Sequence, residues 1–230
     1  MALESFTLPE LMRSPAGVTA NYLRELLPTP LDHASLQVAG IDPERLRSDL
    51  RYRVPLYQTC DLLALTMAAA GDPLLAIRQA HALSLRAFPL LGMGVLASAT
   101  LEEGLQRLIE LDPLIWDAVS LHLDIPADRT GETALVMTPR LPLPPAITEL
   151  ALAGWVLLGP SLWQIRDGHY RLSLRHAPRA SEADYRVLFN CPVEFHADRD
   201  AVHFPTPWLT RRLDLSDPGT SAMILHEARR

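Results

Sequence analysis

Eight histidines and two cysteines are the side chains from which metal or nucleophile chemistry would have to be built in this chain. His169, His176, His196 and His203 fall on or beside segments of alternating polarity, and the alternation puts His196 and His203 on one face. With Glu194 or Asp198 they would offer a transition metal three ligands at a site open to solvent. The spacing argues against it. There is no His-x-x-x-His and no Cys-x-x-Cys, so solvated strand histidines are the expectation, and neither a metal nor a cofactor is assigned.

Cys60 lies on an apolar helical stripe, and Cys191 enters a strand within Phe189-Asn190-Cys191-Pro192. Both read as small buried apolar groups rather than nucleophiles. No Gly-x-Ser-x-Gly elbow is present, and Gly92-Met93-Gly94 lacks the third glycine and the preceding strand of a dinucleotide fingerprint. Glu102-Glu103 open a helix, where carboxylates favour the positive end of its dipole. No catalytic residue is nominated, and the chain is read as a non-enzyme.

Aromatic and cationic residues remain. Trp116, Trp155 and Trp163 fall at or between a helical layer and a sheet, and Tyr170 follows shortly. Small-molecule pockets are mostly apolar with one or two placed polar groups. Arg78 and Arg86, in a helix of otherwise apolar character, are candidate anchors for an anionic ligand. These six residues form the candidate ligand-binding set; the competing reading is core tryptophans and arginines whose stems lie along apolar surface.

Composition narrows the partners. The 230 residues carry a net charge of −6, and all 21 basic residues are arginine. Such a chain is a poor general binder of phosphate backbones, which demands many cations. Two cysteines make no disulfide framework and match a reducing compartment. The N-terminus has no basic start ahead of an apolar run, and the most apolar stretch, 147–162, is shorter than the roughly 20 residues that span a bilayer. A cytoplasmic protein without a membrane partner is expected.

Local signals then position these residues. Asp42-Pro43-Glu44 caps a short helix to about Leu50. Pro55 starts a longer one, with Leu56, Cys60, Leu63 and Met67 on its apolar stripe and Gly71 as its stop. Asp72-Pro73 starts another, with Leu74, Ile77, Ala80 and His81 on one side, and Thr100-Leu101-Glu102-Glu103 reads as a capping box. Phe88 to Val95 is apolar and glycine-punctuated, which reads as a tight buried crossing.

After Trp116 the period shifts to two. Val119 to Ile125, Thr133 to Met137, Tyr170 to Leu174, Val193 with Phe195, and Val202 with Phe204 read as strands. Between them lie an apolar helix over 147–163 and a Ser181-capped helix through Phe189. The order β-β-α-β-α-β-β predicts an α+β fold, a mainly antiparallel sheet with helices on one face under an N-terminal helical layer. The other face, with Ser120, His122, Arg171, Ser173 and His203, is expected to be solvated. Residues 1–115 form the helical part, 116–212 the sheet part, and 213–230 a connecting tail of one continuous regulatory domain.

Leu90-Leu91-Gly92-Met93-Gly94-Val95-Leu96-Ala97-Ser98-Ala99-Thr100-Leu101-Glu102-Glu103-Gly104-Leu105 resembles a stretch of AraC/XylS-type transcription regulators, in the branch with an arabinose-binding-like N-terminal domain. Gly71 to Arg78 resembles the helix start before it, and Phe189 to Phe195 with Asp200 to Phe204 resembles the paired strands that close that domain. The similarity runs from about Gly17 to Asp217. It implies a small-molecule effector, a homodimer whose surface is expected on the 55–86 helices, and DNA contact only through a C-terminal pair of helix-turn-helix units that has no counterpart before Arg230. A stand-alone dimerisation or interaction module without ligand is the alternative, and an enzyme of unknown class the third.

Overall fold

The computed structural model describes residues 13–26, 33–49, 51–84, 88–163 and 169–228. Three short helices lie near the start of the described residues: α1 (Ala20–Leu26), α2 (His33–Val38) and α3 (Pro43–Ser48). The Asp42 carboxylate accepts the Glu44 and Arg45 amides, as the cap signal requires. Two three-residue strands, β1 (Gly17–Thr19) and β2 (Arg53–Pro55), pair antiparallel with Val18 opposite Val54. This ribbon was not anticipated, and Pro55 is its last residue rather than the first of a helix.

The expected stripe is buried on α4 (Leu56–Ala70), and Gly71 closes that helix at φ 63° with its N–H on the Met67 and Ala68 carbonyls. The Asp72 side chain accepts the Leu74 amide ahead of α5 (Leu75–Ala80), where Ile77 and Ala80 are buried while His81 is exposed. The segment read as a crossing is a helix, α6 (Pro89–Leu96). Close approach does occur there. A Cβ on Gly94 would meet Leu111 Cδ1 at 3.0 Å and Ile224 Cγ2 at 3.5 Å, so the absent side chain lets two neighbours pack in. In α7 (Leu101–Leu111) the Thr100 hydroxyl accepts the Glu103 amide, and the Glu103 carboxylate returns to the Ala99 amide, one residue earlier than an ordinary capping box.

The sheet half follows the predicted order. Strands β3 (Val119–Asp124), β4 (Glu132–Pro139), β5 (Arg171–Ser173), β6 (Val193–Glu194) and β7 (Asp200–Pro205) lie side by side as β3-β4-β7-β5-β6. Leu121 pairs with Met137, Leu135 with Val202 and Leu172 with Val202, all antiparallel. The β5–β6 pair is parallel, and α9 (Glu182–Phe189), capped by the Ser181 hydroxyl, is its crossover. Leu121, Leu135, Met137, Leu172 and Val202 join the main core, into which α8 (Pro145–Trp163) also packs.

The second sheet face differs from the solvated surface expected of it. Ala134, Val136 and Ala201 form a small buried apolar cluster there, and Ser173 and His203 are buried beside it, His203 to 6% exposure. Arg171 stands opposite His203 in register and bonds Glu132 and Glu194 on either side. Such arginine stems cover apolar surface while their heads stay in water. Ser173 gives its one hydroxyl hydrogen to the Arg199 carbonyl, so His203 Nε2, 2.8 Å away, is the donor to the serine. The contact is a structural hydrogen bond, not a nucleophile–base pair.

The tail forms α10 (Pro218–Ala228), capped by Asp217 and packed on α6 through buried Ile224. Among the described residues, the large apolar side chains left exposed include Leu90 and Met93 on α6 and Met223 on α10, and none of them lies on α4 or α5.

Candidate functional site

Where the helical part meets the sheet, the backbone brings a cluster of aromatic side chains together. Asp112 ends α7 in a short 3-10 turn (Asp112–Leu114), and its carbonyl accepts the amides of Ile115 and Trp116 at 2.8 and 3.0 Å. That turn swings Trp116 inward, where it bridges to Val18 of β1. The Tyr22 ring of α1 meets Trp116 edge-on, with centroids 5.0 Å apart, and Phe88 at 5.4 Å. From the far side α8 brings Trp155, also buried, whose indole hydrogen-bonds the Asp112 carboxyl.

Among the described residues, two polar atoms of this aromatic cluster find no partner: the Tyr22 hydroxyl and Asp112 Oδ2. Tyr22 is 1% exposed and Asp112 2%. An unsatisfied buried polar group costs about 1–3 kcal/mol, and folded proteins carry few of them. Gly154 adds room. A Cβ there would meet only Leu83 Cδ1 at 3.9 Å and the Tyr22 hydroxyl at 4.0 Å, so α8 leaves that hydroxyl uncovered on its side.

Burial raises the Asp112 carboxyl to about 7, with the Trp155 hydrogen bond working against the rise. Burial first, and the Asp112 charge second, push the Tyr22 phenol well above its ordinary range, so it stays protonated. A carboxyl raised in the folded state binds its proton more tightly folded than unfolded. Its stabilisation is therefore complete below the unfolded value near 4 and lost as pH climbs through 7. Wild type is expected to lose roughly 2–3 kcal/mol between pH 5 and 8 relative to Asp112→Asn. Parallel urea titrations of the two proteins check this, and two curves of identical pH dependence would contradict it.

The remaining sequence candidates scatter. Arg78 is half-exposed, and its Nε donates to Asp72 at 2.8 Å across the surface. Tyr170 donates to the Phe189 carbonyl at 3.4 Å near Cys191, and burial pushes its phenol to about 12. Trp163 is the last residue of α8, and Arg86 lies outside the described residues. The structure thus gathers Trp116 and Trp155 and leaves Arg78 and Tyr170 elsewhere. Sequence reasoning missed Tyr22, Phe88 and Asp112. Asp112 stands before Pro113, a pair that signals the end of a helix and nothing about the burial of the carboxyl.

A second polar cluster interrupts α8. Glu149, fully buried, accepts from Arg179 Nε and Nη2 and from the Tyr185 hydroxyl, with His176 Nε2 3.6 Å away. Tyr185 in turn accepts the Arg179 amide at 3.2 Å. The two cysteines are buried, and burial pushes each thiol to about 12, far from a reactive thiolate. No group of three metal-ligating side chains occurs among the described residues. No helix among them is long and apolar enough to cross a membrane.

The arrangement is a helical layer closed on a sheet, with an aromatic cluster at the seam that holds two buried polar atoms without a partner among the described residues. The family described as the arabinose-binding domain of AraC transcription regulator, N-terminal, matches residues 32–213. The chain belongs to that family. Its fold is similar to the crystal structure of transcriptional regulator CdpR from Pseudomonas aeruginosa, at a TM-score of 0.64 and 14% identity over 89% of this chain. The chain spans 61% of the length of that regulator. Among curated proteins no sequence matches it. The family and its structural neighbour are regulators, not enzymes.

Proposed function

We propose that this chain is the effector-sensing part of a cytoplasmic transcription regulator, with its ligand chamber formed by Tyr22, Phe88, Asp112, Trp116 and Trp155. The observation that carries the reading is the unpartnered Tyr22 hydroxyl and Asp112 oxygen inside an aromatic wall. A compact, largely apolar molecule bearing a hydroxyl or amine would satisfy both atoms and stack on the rings.

The regulatory step is linkage. An effector that binds one arrangement of the domain more tightly shifts the population toward it, and an attached helix-turn-helix reader would change its operator affinity accordingly. Paired half-sites call for paired readers, so a homodimer belongs to the proposal.

A thermal-shift screen of small cyclic alcohols and amines tests it. A ligand in hundredfold to thousandfold excess over its dissociation constant should stabilise the domain by about 3–4 kcal/mol. Tyr22→Phe and Asp112→Asn should each weaken that gain. A hit indifferent to both substitutions, or a screen without hits, would overturn the assignment of the chamber.

A further inference from the structure

A cleft of about 550 Å³ opens at the N-terminal end of α8, between the proline-rich segment 139–145 and the turn after β5, and shares no lining residue with the cluster around Asp112. Its size lies within the roughly 300–1,000 Å³ of small-molecule sites. Leu141 and Leu143 give it an apolar side, Thr148 and His176 line it, and Arg140 and Arg175 bring it two guanidinium-bearing residues.

The state of those two arginines carries the argument. The chain holds 27 acidic residues against 21 basic ones, so an arginine here has acids to pair with. Arg53, Arg107, Arg171 and Arg199 are each held by a carboxylate. Among the described residues, Arg140 and Arg175 enter no ion pair, as Arg51, Arg186 and Arg211 do not; what sets Arg140 and Arg175 apart is that both line one cleft, and both are exposed. Asp200 lines it too, and spends its Oδ1 on the Arg175 backbone amide at 2.9 Å. Two guanidinium cations and one carboxylate leave a charge of +1, which balances a monoanion better than a dianion.

We propose that this cleft is a second binding site, for a small monocarboxylic acid with a compact hydrocarbon body. Arg140 and Arg175 clasp the carboxylate, as guanidinium forks do, and Leu141 and Leu143 receive the body. The site is separate from the chamber around Asp112, so either assignment stands or falls alone.

Calorimetric titration of the whole chain with cyclohexanecarboxylate tests it, alongside cyclohexylmethanol as the neutral counterpart and inorganic phosphate as the dianion. Saturable binding of the carboxylate is expected, weakened about tenfold or more by Arg140→Gln and by Arg175→Gln and lost in the double variant. Both side chains are exposed, so the ligand-free melting temperatures should match wild type. Asp112→Asn should leave the binding intact. Absence of saturable binding at millimolar carboxylate overturns the proposal. So does equal binding of the alcohol or of phosphate, or binding that survives the double variant or vanishes with Asp112→Asn.

Discussion

Trp155→Ala is expected to destabilise the domain by about 3–5 kcal/mol. The indole sits in the middle of α8, where every residue from Ala146 to Val156 is buried, so no surface can relax inward without moving the helix. Removing it opens a cavity between α8 and the turn at Asp112, and also strips the Asp112 carboxyl of its indole partner. A second variant separates these effects. Trp155→Phe keeps most of the volume and loses only the N–H, so it should cost about 1–2 kcal/mol. Urea titrations followed by circular dichroism read both values from the midpoint at constant slope. A loss below about 1 kcal/mol for alanine would mean that α8 is not the central element described here.

The elements that bring Trp155 and Trp116 to one place were legible to different degrees, for physical reasons. Where a segment buries one face over many residues, its period survives in the sequence. The α4 stripe from Leu56 to Met67 repeats for three turns, β3 alternates over six residues, and β4 shows instead the unbroken apolar run of a strand buried on both faces. The β1–β2 ribbon has three residues per strand, too few for any period to register, and its partner contact with Trp116 is set only by tertiary folding. The glycines of α6 read as a loop-like crossing because helix propensity is low there, yet packing against α7 and α10 holds the helix.

Side-chain burial was the least legible quantity. His203 alternates with the apolar Val202 and Phe204, which assigns it to the polar sheet face, and its burial follows from Arg171 lying across it with Glu132 and Glu194 as anchors. Asp112 has a backbone role that fully accounts for its sequence position, so nothing local announces that α8 covers its carboxyl. Tyr22 lies in a short helix with no periodic signal, 94 residues from the tryptophan it meets, and no local pattern can report that contact. Glu149 interrupts the apolar run of α8, and its partners, Arg179 and Tyr185, come from beyond β5, where no local pattern ties them to it.

That interruption leads to the other large effect. Arg179→Met is expected to cost about 3–5 kcal/mol, because it leaves Glu149 buried and without its cation. Glu149 is fully buried while Arg179 retains one-fifth of its side-chain surface, so the desolvation penalty falls almost wholly on the carboxylate. Glu149→Leu alone strands the arginine at the edge, where water still reaches it, and should cost less. The double variant Glu149→Leu with Arg179→Met replaces the pair by apolar groups of similar size and is expected to recover most of the loss. Denaturant titrations of the four proteins close the cycle, and additive losses would show that the two side chains are not coupled. The pair also anchors the helix that carries Trp155. Six residues at 1.5 Å each separate Glu149 from Trp155, about 9 Å along α8. Loosening the ion pair should therefore weaken any chamber ligand in Arg179→Met, and the double variant should restore its affinity together with stability.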